Sequence, residues 1–477
     1  MNNSYSAPTP TIAQAKFHTA YIGTALATAI CAGFAIGAHL SFVIGFEFEL
    51  GDGFYSFIQT HGHLQLMGWA GLFIIGISLH LIPRLAGAPI AQPKRPKRIL
   101  WLIAGSIFLR SLGHSVLPYI VKSRVFDPLL WLVAFSGVTE LSGVLLYLMT
   151  LVSTMRRGND FGNRPALSSV QPFFMMMFAG WLLYAIMHAA LLIHMALLKF
   201  VVIDQAWNEF SVNIFTGLIL LPVALAFSVR TFPLYLRLPA PTWPVRIAAY
   251  VYLVFLCIQL TPTLPPIANN SPEISLRLSS VGAMLKSAFI LWFVWKLDVL
   301  TRWRKPWTVN RIGEPQPDRR PTRPGLPDYG EFGSFERLLY SAYAWLVLAA
   351  VFEILSGASV IFGFSFLQSH DASRHMIFLG FLSLLILGMA VRMIPGFIGK
   401  RKIASAKLVT ATFWLGNAAA ACRVAPIILP ETLLEVLPGA IQISQAAFAL
   451  SGILGMAAVG CLAVNLWRTA SSKVGLG

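Results

Sequence analysis

The chain is predicted to be an all-α integral membrane protein with about twelve transmembrane helices in three parallel four-helix repeats. Three observations predict this. Of 477 residues, 56% are apolar and 12% charged, with mean hydropathy +0.70, and apolar stretches long enough to cross a bilayer recur throughout. Basic residues gather in alternate loops, as when those loops stay on one side of a membrane. A polar residue followed by proline twenty positions later occurs three times, as His63-x16-His80-x2-Pro83, Asn213-x16-Arg230-x2-Pro233 and His375-x16-Arg392-x2-Pro395. The first and third copies also share glycines at matching places: Gly68 with Gly380, Gly76 with Gly388, Gly87 with Gly399.

The spans follow in order. The first, 19–46, comes after the polar segment Met1 to Lys16, which lacks a signal-peptide cleavage pattern, so this span is expected to be retained. It ends at the acidic loop Glu47 to Asp52. The second, 55–83, carries the first pattern copy. The basic run Pro93 to Arg98 leads into the third, 97–120, and the fourth, 128–155, closes on Arg156 and Arg157. The fifth is 170–200; the sixth, 208–236, holds the middle copy and meets the basic loop Arg237 to Arg246. The seventh, 244–262, gives way to Pro265 to Glu273, and the eighth, 274–302, to the basic stretch Arg302 to Arg323. The ninth, 335–366, is followed by Gln368 to Asp371 and then the tenth, 373–398, with the third copy. Lys400, Arg401 and Lys402 precede the eleventh, 404–428, and twelfth, 432–468.

These spans group into units at 1–165, 166–303 and 335–477. A Pro-, Arg- and Gly-rich segment at 304–334 has too little apolar content for a core and reads as a cytoplasmic linker. The repeat extends beyond the opening pattern: Trp101-Leu102 with Arg110 matches Trp414-Leu415 with Arg423, and Ser142 to Leu145 matches Ser451 to Leu454. All copies enter the membrane in the same direction, unlike the inverted repeats of many transporters. The net charge of +17 sits in the basic loops, which places those loops and both termini in the cytoplasm. No basic soluble domain exists to carry nucleic-acid binding. Cys31, Cys257, Cys422 and Cys461 fall singly in apolar spans without metal-ligand spacing, and are expected to be buried small hydrophobes.

Depth sorts the candidate site residues. Seventeen residues of helix rise about 26 Å, so His63 and His375 lie near one face of the membrane and His80 and Arg392 near the other. His39, His61, His114, His188, His194 and His370 join the first group; only His18 falls with His80. Imidazole ligates haem iron and copper. Histidines at equal depth on two helices can clamp a haem, and the repeat puts His63 and His375 there; a lone helix-start histidine more often just bonds a nearby carbonyl. His61 lies on the opposite side of its helix from His63, and either is a candidate ligand. His188 and His194, six apart, do not share a helix face; with His39 or His114 they are candidates for a copper or substrate site, with isolated satisfied histidines as the blander outcome. Arg110, Glu140, Lys286, Glu353 and Arg423 lie deep in their spans, where an unpaired charge is costly. They read either as internal ion pairs, such as Arg110 with Glu140, or, for the repeat-related Arg110 and Arg423, as anchors for haem propionates. No CxxCH, HExxH or phosphate-binding glycine loop is present, which argues against covalently attached haem and nucleophilic catalysis.

The run His61-Gly62-His63-Leu64-Gln65-Leu66-Met67-Gly68-Trp69-Ala70 resembles the HxHxxxxG(F/W)A signature of the NnrS family. Arg230-Thr231-Phe232-Pro233 is similar to that family's sixth-helix element, and Tyr343 to Leu346 with His375 to Arg392 resemble its ninth and tenth helices. The sequence departs from the pattern around His370, where the family carries closely spaced histidines. The resemblance implies a twelve-helix protein of the bacterial inner membrane that contains haem b and copper and is linked to nitric oxide metabolism and nitrosative stress. A small gaseous ligand such as nitric oxide and the lipid bilayer are then the expected partners; the electron donor and any turnover are left open. A more distant similarity is to subunit I of haem-copper oxidases and nitric oxide reductases, whose low-spin haem is held from helices two and ten, the helices of His63 and His375. That similarity places Ser373 at the high-spin haem ligand position and Asn213 at the sixth-helix copper ligand position, and the seventh span has no histidine. A terminal oxidase or reductase centre is therefore disfavoured. The remaining alternative is a permease or sensor without haem.

Overall fold

The computed structural model describes residues 16–158, 169–301, 330–367, 369–429, 436 and 438–472, and among them every long element is helical. The rods are α1 (Thr19–Gly45), α2 (Phe54–Ala86), α3 (Arg95–Tyr119), α4 (Phe126–Arg157), α5 (Gln171–Leu197), α6 (Gln205–Tyr235), α7 (Val245–Thr263), α8 (Pro272–Leu297), α9 (Phe335–Phe362), α10 (His370–Phe397), α11 (Ala406–Ile428) and α12 (Ala440–Ser471). All but α11 are long and apolar enough to cross a membrane. The 23 residues of α11 reach about 34 Å, which also suffices, but Lys407, Asn417 and Arg423 dilute its hydropathy.

Several ends differ from the sequence expectation for local reasons. The eighth helix stops at Leu297 because Asp298 turns left-handed (φ 60°), and the ninth stops at Phe362 because Gly363 does the same (φ 72°). Pro83, Pro233 and Pro395 do not end their helices; each sits inside the final turn of α2, α6 or α10. Most of the expected linker, residues 302–329, lies outside the described residues.

Consecutive helices pack side by side, notably α3 on α4, α8 on α9 and α11 on α12, and α12 returns against α1 to close the ring. The three pattern-bearing helices are the inner ones. Their most apolar windows are 78% (α2), 67% (α6) and 72% (α10) buried, against 33–50% for the other membrane-length helices. At the basic end they diverge around an apolar cavity of about 270 Å³ lined by Ile74, Leu81, Phe227, Leu385 and Met389. Each also widens into a π-helical stretch just after the pattern's first residue: Leu64–Gly71 after His63, Phe215–Leu220 after Asn213, Met376–Ser383 after His375. A π-helical turn inserts extra backbone and re-aims the side chains around it, often at functional sites. The cysteines are not buried: Cys31 and Cys257 are exposed, Cys422 and Cys461 half-exposed. Packing in a membrane protein does not require apolar residues to face inward, because lipid accepts them equally well.

Candidate functional site

Two residues apart on α2, about 200° round an ideal helix, His61 and His63 enter different surroundings. His61 turns toward α1 and α10. Its Nδ1 donates to the Gly33 carbonyl at 2.8 Å, and it lies within electrostatic reach of His375, Asp371 and Arg423. Gly33 closes a fourth π-helical stretch, Ala29–Gly33 in α1. Its neighbour one turn on, Gly37, is where a side chain would strike the imidazole: a Cβ there would lie 2.6 Å from His61 Cε1.

His375 is held in the same manner from the other side. Its Nδ1 donates to the Asp371 carbonyl at 2.8 Å and lies 3.1 Å from Asp371 Oδ1. Asp371 in turn receives Arg423 Nη2 of α11 at 3.0 Å and 3.3 Å. Arg423 stacks over Phe448 of α12, 4.2 Å from the ring centroid. Both imidazoles are thus anchored through Nδ1, which leaves the Nε2 lone pair available on each. A histidine that binds a metal through one ring nitrogen needs that tautomer and such a partner on the other.

His63 faces the opposite way, into a cluster from α2, α3, α4 and α5. Its Nε2 lies 2.8 Å from Glu140 Oε2, and its ring stacks on His188 with centroids 5.0 Å apart. Arg110 Nη1 donates to His188 Nε2 at 2.5 Å, and Tyr184 also stacks on His188, with centroids 5.4 Å apart. Ser106 Oγ reaches Glu140 Oε2 at 3.5 Å. His63, Arg110, Glu140 and His188 are each at most 4% exposed. Glu140 Oε1, His63 Nδ1 and Arg110 Nε have no hydrogen-bond partner. Leaving such atoms unmet costs about 1–3 kcal/mol each, so this cluster is not arranged for stability. A small cavity of about 40 Å³ opens beside it, bounded by Tyr184, Asn208 and Ser211 as well as the two histidines and Arg110.

A third polar region lies between α6 and α10. Lys286 of α8 pairs with Glu353 of α9 at 3.1 Å, and Ser287 donates to Glu353 at 2.6 Å. They border a cavity of about 200 Å³ that Asn213, Gln259, His370, Ser373 and Arg374 also line.

The expected residues therefore separate. The two residues of the expected His63/His375 clamp have different neighbours: His63 is engaged with Glu140 and His188, and His61 is the one that shares surroundings with His375. Arg110 belongs to the His188 cluster, and Arg423 is tied to Asp371, so neither stands as a free propionate anchor. His188 and His194 do not form a site: His188 is buried and His194 exposed. The expected ion pair of Arg110 with Glu140 is not formed: Arg110 bonds His188, with Glu140 within electrostatic reach only. Tyr184 and Asp371 were not singled out by sequence. Asp371 had one available signal, its place four residues before His375, the spacing of a helix-face partner.

No family model matches the chain, and no curated protein matches it in sequence. Among solved structures it is similar to a heme-copper terminal oxidase determined as a dimer by cryo-EM, with TM-score 0.61 over 96% of this chain and 85% of that one, at 14% identity. The chain is a polytopic membrane protein with the helical fold of haem-copper oxidase subunit I. At that identity the likeness concerns the fold alone.

His61 and His375 would be the residues to hold a haem: their Nδ1 atoms are tied to carbonyls and no hydrogen bond engages their Nε2 atoms. A binuclear haem–copper centre does not fit. Asn213 and Ser373 line the cavity beside Lys286 where ligands would be needed, and α7 carries no histidine.

Proposed function

We propose that the protein binds haem b between α2 and α10 through His61 and His375 and acts in the handling of nitric oxide or nitrosative stress in the bacterial inner membrane. The observation that carries the haem assignment is the matched anchoring of the two imidazoles, each through Nδ1 to a backbone carbonyl at 2.8 Å. Bound there, haem would supply one-electron redox chemistry and affinity for small gaseous ligands. Asp371 and Arg423 hold the His375 ring and place a compensated charge pair beside it; Gly37 leaves room for the His61 ring. The nitric oxide role rests on the NnrS resemblance around His61 to Ala70. The basic loops support an orientation with both termini in the cytoplasm.

A reduced-minus-oxidised visible spectrum of the purified protein tests the haem assignment. Low-spin haem b bands are expected in the wild type and in His63→Ala, and are expected to be lost or converted to high-spin in His61→Ala and His375→Ala. Absence of haem bands from the wild type, or bands indifferent to both substitutions, would overturn it. Nitric oxide added to the reduced protein should shift the bands if the gas is a ligand.

A second class of function draws on the cavity beside Lys286 and Glu353, whose paired buried charges suit a permease or sensor pathway without haem. The same spectrum separates the two, because that class predicts no haem bands in any variant.

A further inference from the structure

We propose that His63, Glu140 and His188 form a binding site for a single first-row transition-metal ion, distinct from the His61/His375 pair. Their ligand atoms lie within 4.8 Å of one another, contributed by α2, α4 and α5. All three side chains are buried. Glu140 Oε1 and His63 Nδ1 have no partner, so each residue keeps unused ligating capacity inside the cluster. The adjoining cavity of about 40 Å³ has room for a water or a small exogenous ligand.

The donor set identifies the class of ion. Two imidazoles and one carboxylate suit zinc, copper or iron, whereas calcium and magnesium take oxygen ligands. A plain structural ion pair accounts for the cluster less well. Arg110 would then satisfy Glu140, yet its Nη1 sits on His188 Nε2 at 2.5 Å while Glu140 keeps an unpaired oxygen. That guanidinium occupies the lone pair a metal would take. On metal binding Arg110 turns to Tyr184, which is already within its reach, and leaves the Glu140 carboxylate to the ion. The positive charge of Arg110 beside the ion favours a small anion, such as hydroxide, as the remaining ligand in the cavity. The site uses no residue of the Lys286 cavity, where a haem–copper centre failed to fit.

The test uses full-length protein in detergent, stripped with chelator, loaded separately with ZnCl₂ or CuCl₂, desalted and analysed for metal by mass spectrometry. The wild type is expected to retain about one ion per chain of at least one of the metals. His188→Ala and the near-isosteric Glu140→Gln should each weaken retention roughly 10-fold or more, while His194→Ala, exposed on the same helix, should not. With Cu²⁺, electron paramagnetic resonance should show imidazole nitrogen couplings that His188→Ala diminishes. Should His188→Ala fail to fold, judged by elution and thermal midpoint, Glu140→Gln decides. A wild type that retains neither metal, or a folded Glu140→Gln with wild-type retention and spectrum, overturns the site. Haem bands without metal retention sink this site alone; metal retention without haem bands sinks only the haem assignment.

Discussion

Gly37→Ala is the sharpest probe of the His61 anchor, because the residue touches the proposed ligand without ligating anything. A Cβ at this position would lie 2.6 Å from His61 Cε1 and 3.0 Å from Nδ1. Carbon atoms in contact need about 3.5–4.0 Å, so the ring must withdraw by roughly 1 Å. Gly33 and Gly37 lie on the same helix one turn apart, so withdrawal from one is withdrawal from the other. The 2.8 Å bond from Nδ1 to the Gly33 carbonyl then stretches out of hydrogen-bonding range. Loss of such a support costs on the order of 1 kcal/mol, and second-shell losses at metal sites lower affinity about 10–100-fold. The assay is the haem-to-protein ratio and the low-spin band intensity of the purified variant. Gly62→Ala is the control, since a Cβ there meets nothing within 4 Å on the same helix as His61. Gly37→Ala protein with wild-type haem content and unshifted bands would refute both the ligand and its anchor.

Asp371→Asn removes the charge that holds both His375 and Arg423, and should lower haem affinity about 10-fold; adding Arg423→Met should cost little more, because the two act as one unit, as a double-mutant cycle of haem affinity would show. Lys286→Met strands Glu353 in the interior and should destabilise the protein by about 3–5 kcal/mol, read as a lowered Tm in detergent, while the double substitution Lys286→Met/Glu353→Leu should recover most of that loss. Gly282→Ala places a methyl against the Gln259 backbone, forcing α7 and α8 apart at a cost of about 1–3 kcal/mol by the same measurement.

Much of the architecture was legible because it is written in periodic features. Apolar length gave the helices, loop charge gave their alternation, and the His63, Asn213 and His375 pattern marked the helices that prove to be innermost. What the pattern could not convey was rotation. His61 and His63 have nearly the same depth, so depth could not say which one faces α10, and repeat equivalence pointed to His63, which faces away from it. The π-helical stretches that begin at Leu64 and Met376 add to the difficulty, because they shift the helix faces beyond them without any residue type that announces it. Arg110 and Arg423 find partners that the repeat did not point to, for a related reason. They occupy matching places in sequence, yet their partners, His188 and Asp371, come from elements the repeat does not pair. The cysteines failed through a rule of soluble proteins applied to lipid.

The three inner helices bound three slots, and each slot holds a cation and an anion, fully buried in the first and partly exposed at Glu353 and Asp371 in the other two. Between α2 and α6 lie Arg110 and Glu140 with His63 and His188. Between α6 and α10 lie Lys286 and Glu353, with His370 the one imidazole among the described residues that line their cavity. Between α10 and α2, across α11, α12 and α1, lie Arg423 and Asp371 with His375 and His61. Charges in a membrane interior persist only where something compensates them, and here each slot has a cation and an anion of its own. The differences then rest on what accompanies the pair. Histidines with idle lone pairs accompany it in two slots and amides and hydroxyls in the third. One helical frame therefore presents two candidate metal-binding environments flanking a polar cavity that lacks the ligands for one, and His61 and His63, back to back on α2, supply one imidazole to each.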